Sequence, residues 1–448
     1  MSKKKLKEVR IEKTDYPNLS QGTLEGQNFH FKGGLPGQVA EIIPIKRRPK
    51  FTRAKIRQIL EAADYEVEEG CPAHGFCGGC IYQKTPYSLE HKIKEDQLKR
   101  LYENYWTEES HLLETLDPHY YRNKMEYTFG DKEKGGPLVL GLHRRFHMHE
   151  IVDTTGCLIA PKDFEKIRAY TQDFYRGKQV SYYHRMAQVG TLRHLVLRKS
   201  FREKKIMLNL VTRSQEEIYL EEYIQGLENL DLECPVTSIY HTINDQAGDA
   251  VLCDKLIHVK GDQGIQEKLM GLNFKITPFS FFQPNPIGVE KIYEKALEFA
   301  GETKGKAIFD LYSGTGTLAQ ILAKEAEKVY AIEIVQDAVD NAKEMAEKNG
   351  LDNIEFYCGD VGKVLEDFQG QVDTIFVDPP RVGLLPQAMK NILKAQARKI
   401  IYISCNPKTQ KANLDEFVEN GYKVEKLCAF DQFPGTVHAE SICFLSRK

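Results

Sequence analysis

A series of apolar runs in the last third of the chain, each ending at a polar or reactive residue, constrains the fold most. Ala307-Ile308-Phe309-Asp310-Leu311 leads into the turn Tyr312-Ser313-Gly314-Thr315-Gly316-Thr317, a helix is expected from Leu318, and Val329-Tyr330-Ala331-Ile332 stops at Glu333. Asp360 closes the next run. Phe376-Val377 then ends in Asp378-Pro379-Pro380-Arg381, and a later run stops at Ser404-Cys405-Asn406-Pro407. Strands that alternate with helices build a parallel sheet covered on both faces. Such a sheet delivers its strand-end side chains to one edge, where ligands bind.

The residues at those ends point to a cofactor. Glu333 follows Gly314 by nineteen positions, where a ribose hydroxyl needs an acceptor. Gly314-x-Gly316-x-x-Ala319 also satisfies a dinucleotide fingerprint, so the glycines alone leave NAD open. Asp310 before the turn, Asp360, and Asp378 stiffened by two prolines favour S-adenosylmethionine, because an NAD fold has no need of a carboxylate-Pro-Pro there. Upstream, Phe281-Phe282-Gln283-Pro284-Asn285 sets an amide between aromatics and prolines, which reads as a ligand contact or as a packed turn.

Cys405 sits where a strand becomes a loop. A lone cysteine there is ordinarily a small core residue, but packing does not need the Asn-Pro that follows, and the nearby Asp378 and Arg381 make the thiol the leading nucleophile. In Thr436-Val437-His438-Ala439-Glu440, His438 and Glu440 are two apart and would share one face of a strand. Either is a candidate base, although a surface turn fits the same residues.

Cys71-Pro72-Ala73-His74-Gly75-Phe76-Cys77-Gly78-Gly79-Cys80 brings three thiols around a point, with glycines that leave N–H groups free to face sulfur. Zinc and an iron–sulfur cluster both accept such a set. Cys157 is the best fourth ligand and His74 the runner-up. A redox Cys-x-x-Cys fits less well, because no strand leads into it.

A chain of 448 residues predicts two or three domains. The net charge of −2 names no partner, but residues 1–60 hold fourteen Lys/Arg against five Asp/Glu, a phosphate-binding surface or a solvated basic tail. Gly22, Gly26, Gly33-Gly34 and Pro36-Gly37 punctuate short strands there, as in a small β-barrel. Residues 54–63 fit a strand or a short helix, and 84–115 look helical. From 120 to 260 alternating runs predict mixed α+β structure. Tyr121-Arg122-Asn123-Lys124 and Leu142-His143-Arg144-Arg145-Phe146 interleave aromatics with cations, a pattern that suits bases and phosphates and equally an ordinary charged surface. No run approaches the ~18 apolar residues of a membrane span. The Lys-rich start has no apolar stretch behind it, so a secretory signal is not expected. Ten cysteines without an export signal then predict a reducing cytoplasm.

Taken together these residues resemble the RNA uracil-5 methyltransferases, and particularly the ribosomal-RNA branch with an N-terminal TRAM domain and a 4Fe–4S cluster. The resemblance covers nearly the whole chain. It implies a multidomain fold: an all-β OB-like TRAM barrel at 1–60 that binds RNA, a central α+β domain with the cluster loop at 61–270, and a C-terminal α/β Rossmann-like class I methyltransferase domain at 271–448. It implies Cys71, Cys77, Cys80 and Cys157 as cluster ligands. Gln283, Tyr312, Glu333 and Asp378 take the S-adenosylmethionine positions, Cys405 that of the nucleophile and Glu440 that of the base removing the C5 proton. The implied partner is RNA, ribosomal before transfer RNA, with no membrane and no obligate protein partner. The early glycine pattern of TRAM is eroded, and Glu90 stands where the family often has Gln.

Within that chemistry Cys405 must be ionised near neutral pH, so surroundings that lower its pKa are expected. An N6-adenine methyltransferase has no use for Cys405, and a DNA cytosine-C5 enzyme places its cysteine beside the prolines. A radical iron–sulfur enzyme leaves one iron open, which Cys157 would close. A non-catalytic RNA-binding protein with a metal hub accounts for the basic start and the cysteines, but not for Cys405 with Glu440.

Overall fold

The computed structural model describes residues 6–115 and 117–448. The chain divides into two compact units, each discontinuous in sequence. One comprises residues 6–70, 80–115 and 378–448, the other 71–79 and 117–377. Among the described residues no helix is long and apolar enough to cross a membrane.

The first unit opens with a six-stranded sheet built from the strands between Lys7 and Glu61. Alternation is the reason it forms. In the strand Val39–Arg47 the side chains of Ala40 and Ile42 turn inward, and with Val9, Ile11, Phe29, Phe31 and Ala54 they make a small core. Of residues 54–63, ambiguous in sequence, all but the last two belong to the strand Thr52–Glu61, which pairs antiparallel with Val39–Arg47. The outward positions of this hairpin carry Lys46, Arg47, Arg48, Lys50, Arg53, Lys55 and Arg57, all exposed.

The helix expected over 84–115 is shorter, Tyr87–Leu101. Its buried positions are Glu90, Lys94, Gln97 and Leu98, a mostly polar stripe at helical spacing. The rest of this unit is a sheet in which Lys399–Ser404 pairs antiparallel with Glu440–Arg447, which in turn pairs with Tyr422–Phe430. The helix Pro407–Glu419 begins directly after Asn406, with Pro407 at its first position, where a missing N–H costs nothing.

In the second unit seven strands between Lys124 and Gly261 form one sheet. One face packs Tyr127, Phe129, Leu195, Leu197, Leu208 and Leu210 into a core with residues of the helices Lys162–Gly177 and Leu220–Glu228. Then come the hairpin Ile265–Leu269 and Leu272–Ile276, the helix Pro286–Ala300, and parallel strands. Ala307–Leu311 lies between Lys328–Glu333 and Thr374–Val377, and Ile354–Cys358 pairs with Lys328–Glu333. This is the βαβ series read from the sequence. The mixed α+β character of 120–260 and the α/β character that follows both match expectation.

Candidate active site

In the second unit the turn after Ala307–Leu311 carries three of the residues read from the sequence as cofactor contacts or their neighbours. Tyr312 is held at φ 65°, a left-handed conformation that costs a tyrosine ~1–3 kcal/mol and persists where the surroundings enforce it. Gly316 has φ 72°, and a Cβ there would come within 2.9 Å of the Ala342 Cβ and 3.1 Å of the Phe356 ring. Only glycine fits. The Glu333 carboxylate closes the turn, accepting from Gly314 N–H at 3.0 Å and from Val335 N–H at 2.9 Å. Burial and the charge of Asp360 push the Tyr312 phenol up to about 12. Asp360 also caps the helix Val361–Asp367, accepting from Lys363 N–H at 3.2 Å. Tyr312, Glu333 and Asp360 therefore gather at one strand edge, as the sequence pattern required.

Gln283 belongs to the same unit, and its segment is held by a residue read differently in the sequence. Asn123 donates from its side chain to the Gln283 carbonyl at 3.0 Å and from its backbone to the Pro284 carbonyl at 2.8 Å. Asn285 caps the helix Pro286–Ala300 through Gly288 N–H at 3.0 Å. Tyr121 and Asn123 are both buried. The Tyr121–Lys124 stretch thus supports the Gln283–Pro284 segment through Asn123, and Tyr121 does not present a stacking surface. Burial sends the aromatic inward, which interleaving with cations does not reveal.

In the first unit Asp378, Arg381, Cys405 and Glu440 come together. Strand register does this. Ser404 pairs with Ser441, so the next step along the two antiparallel strands sets Cys405 against Glu440. Arg381 is brought in by its backbone: its carbonyl accepts from Asn406 Nδ2 at 2.7 Å and from Thr409 Oγ1 at 3.4 Å. Leu384 N–H donates to Asn413 Oδ1 at 3.1 Å, so the loop after Asp378 hangs from the helix that follows Cys405. Asn-Pro after the cysteine serves this purpose, with Asn406 tying the loop and Pro407 starting the helix.

The electrostatics correct one expectation. Burial first, then the charges of Glu440 and Asp378, push the Cys405 thiol up to about 11, while Arg381 pulls it down. Burial and Asp378 likewise raise Glu440 to about 8, again with Arg381 opposing, and burial raises Asp378 to about 7. The surroundings of Cys405 hold it as a thiol, not a thiolate. The cause is burial, with two carboxylates against one guanidinium adding to it, a balance that no local motif records.

His438 does not share a strand face with Glu440. The strand begins at Glu440, and His438 lies in the preceding turn, where its N–H donates to Thr436 Oγ1 at 3.2 Å. Glu440 is the carboxylate aligned with the thiol. Sequence reading missed Tyr16, which is buried and accepts a hydrogen bond from Ala439 N–H. It also missed the buried pair of Glu90 and Lys94, 2.6 Å apart, whose i,i+4 spacing was the available signal.

Of the cysteine set, Cys71, Cys77 and Cys157 lie in the second unit and Cys80 in the first. Cys157 feels the charges of Cys71 and Cys77, and its sulfur accepts from Ile159 and Ala160 N–H groups. Gly79 N–H donates to the Cys77 sulfur at 3.4 Å, the glycine-to-sulfur contact foreseen for this loop. Among the described residues no three His, Cys, Asp or Glu side chains are arranged to hold a metal ion.

A family profile described as tRNA (Uracil-5-)-methyltransferase matches residues 255–358 and 360–448. A Clostridium tetani protein named as an uncharacterized RNA methyltransferase is 41% identical over 451 residues, covering 100% of this chain and 99% of its own. One from Caldanaerobacter subterraneus, similarly named, is 38% identical and covers 100% of both. Among solved structures, a Pyrococcus abyssi tRNA (uracil-54, C5)-methyltransferase in complex with S-adenosyl-L-homocysteine superposes with a TM-score of 0.77 at 26% identity, covering 98% of this chain and 99% of that one. On this evidence, with a glycine turn on one set of strand ends and a thiol facing a carboxylate on another, the chain belongs to the RNA uracil-5-methyltransferase family, enzymes that draw the methyl group from S-adenosylmethionine.

Proposed function

We propose that this enzyme methylates C5 of a specific uridine in RNA, 23S ribosomal RNA before transfer RNA, through a covalent bond between Cys405 and C6. The observation that carries the proposal is the placement of the Cys405 thiol against Glu440, with Asp378 and Arg381 beside both. Uracil C5 is a poor nucleophile. Addition of the Cys405 thiolate to C6 turns the ring into an enolate with carbanion character at C5. S-adenosylmethionine, when bound, supplies the methyl group as an electrophile on sulfur. Gln283, Tyr312, Glu333 and Asp378 are the residues proposed to hold it, so that donor and C5 meet in line.

Glu440 then takes the C5 proton, the C–H electron pair becomes the C5–C6 double bond, and the C6–S bond breaks to return Cys405 as thiolate. Glu440 suits this step because its raised pKa makes it a stronger base than a solvated carboxylate. Arg381 opposes the two carboxylates and favours ionisation of the thiol. The target base must be unpaired or flipped out for its ring face to be reached.

The cysteine spacing and the N–H groups aimed at sulfur support a 4Fe–4S cluster on Cys71, Cys77, Cys80 and Cys157. No step of methyl transfer is routed through it. Iron and sulfide analysis of anaerobically purified protein tests the assignment, and absence of both would end it. The same reading gives 1–60 the role of an RNA-binding TRAM barrel, 61–270 the cluster and 271–448 the transfer, in a cytoplasmic enzyme. A transfer-RNA substrate is the second reading, favoured by the Pyrococcus structure, which is that of a tRNA enzyme.

Tritiated-methyl S-adenosylmethionine with unmodified ribosomal and transfer RNA, followed by nucleoside analysis, decides. Label in 5-methyluridine of ribosomal RNA is expected. Label in 5-methyluridine of transfer RNA alone would move the enzyme to the second reading, and label in another nucleoside would overturn the roles of Cys405 and Glu440.

A further inference from the structure

The segment from Asp431 to Glu440 joins two strands of the first unit and ends on the residue proposed as base. It is held by side chains from the first hundred residues of the chain, all in the same unit. Lys94, 1% exposed at its side chain, reaches Asp431 at 2.8 Å, Glu90 at 2.6 Å and the Phe433 carbonyl at 3.4 Å. Glu90 accepts from Gly435 N–H at 2.6 Å. The Gly435 carbonyl accepts from Ile81 and Tyr82 N–H at 2.7 and 3.0 Å. Gly435 has φ 80°, and a Cβ there would fall 2.3 Å from Gln83 Nε2, so the turn is shaped to this contact.

At the end of the segment the buried Tyr16 hydroxyl accepts from Ala439 N–H, one residue before Glu440. Tyr16 is itself fixed through its neighbours. Arg100 donates to the Thr14 carbonyl at 2.6 Å and pairs with Asp15 at 3.1 Å, and Gln97 donates to Thr14 Oγ1 at 2.7 Å. The helix Tyr87–Leu101 buries Glu90, Lys94 and Gln97 where apolar side chains would serve packing alone. A buried ammonium shared by two carboxylates is poor value as a stabiliser but sets geometry closely.

We propose that Tyr16, Glu90 and Lys94 are positioning residues for removal of the C5 proton, fixing Glu440 by clamping the segment that ends on it. The proposal rests on Glu440 being the base. A base displaced by a fraction of an ångström leaves thiol addition and methyl transfer intact but slows the elimination that follows. The mark of such a role is a methylated RNA–protein adduct that persists.

The test uses the full chain with RNA carrying deuterium at uridine C5 and the tritiated methyl donor. Tyr16→Phe, which deletes one hydroxyl, should lower turnover ~10-fold or more, raise the deuterium isotope effect, and accumulate label in a denaturant-resistant RNA–protein band. Because elimination follows the irreversible methyl transfer, kcat/KM for RNA and for the donor should hold while KM falls together with kcat. Lys94→Met and Glu90→Ala should do the same, and Glu90→Gln, whose amide oxygen still accepts from Gly435, should recover part of the loss. Tyr16→Phe keeps the test valid if Lys94→Met does not fold. Glu440→Gln is the control. If it traps the adduct while Tyr16→Phe and Glu90→Ala only raise KM with kcat unchanged, or lower adduct and product together, the positioning role is overturned and the base stands. If Glu440→Gln releases methylated RNA freely, the base assignment itself falls.

Discussion

At the scale of single residues, the proposed chemistry depends on a thiol and a carboxylate that burial pushes up together, the thiol further through the charge of Glu440. Cys405, pushed up to about 11, is protonated at neutral pH and gains thiolate as pH rises. Addition to C6 precedes the irreversible methyl transfer, so kcat/KM should climb by close to tenfold per pH unit between pH 7 and 9. A flat profile in single-turnover assays would show that RNA binding removes the burial penalty. Arg381→Ala takes away the cation that lowers both groups, so activity at pH 7.5 should fall and the rising limb should move to higher pH. Cys405→Ala should abolish both product and adduct, with donor affinity by calorimetry unchanged. These residues were legible in the sequence because reactive side chains stand beside backbone-shaping ones: Asp378 before two prolines, Cys405 before Asn-Pro. Their pKa values were not legible, because burial and the approach of Glu440 arise only when distant strands pair.

At the scale of elements, register and turns place these groups. Cys405 meets Glu440 because Lys399–Ser404 and Glu440–Arg447 pair with Ser404 opposite Ser441; a slip of one residue would turn every side chain on one strand to the other face. The turn after Ala307–Leu311 depends on Gly316. Gly316→Ala adds a Cβ at φ 72° against Ala342 and Phe356, and a loss of ~2–4 kcal/mol in stability is expected. Thermal unfolding should show it as a lower Tm, accompanied by weaker donor binding; an unchanged Tm would mean that the strand–helix packing yields easily. The βαβ series was readable from apolar periodicity and from its glycine-rich turn. The helix over 84–115 was overextended, because charged residues continue past Leu101 while the contacts that bury Glu90, Lys94 and Gln97 end there.

At the scale of the whole molecule, RNA must be drawn to an enzyme of net charge −2, and under the proposed function the exposed cations of the N-terminal hairpin are the candidates to do this. Arg57 is engaged by Glu41 at 3.0 Å, but Arg47, Arg48 and Lys50 stand at the hairpin tip. Replacing those three by Ala should weaken RNA binding uniformly across sequences and reduce the slope of log affinity against log salt by about 2 to 3. Filter binding across a salt series measures it, and an unaltered slope would move the phosphate contacts elsewhere. By itself the sequence determined what depends on neighbours along the chain: the alternation that makes strands, the glycine turn that only glycine can form, the proline-braced carboxylate and the thiol before Asn-Pro. Tertiary structure alone decided what depends on residues hundreds of positions apart. It set Lys94 between Glu90 and Asp431, brought Tyr16 to the peptide before Glu440, and buried Cys405 beside carboxylates so that it holds its proton. Hydrogen bonding and desolvation act through space over a few ångströms, and the distance along the chain carries no record of them.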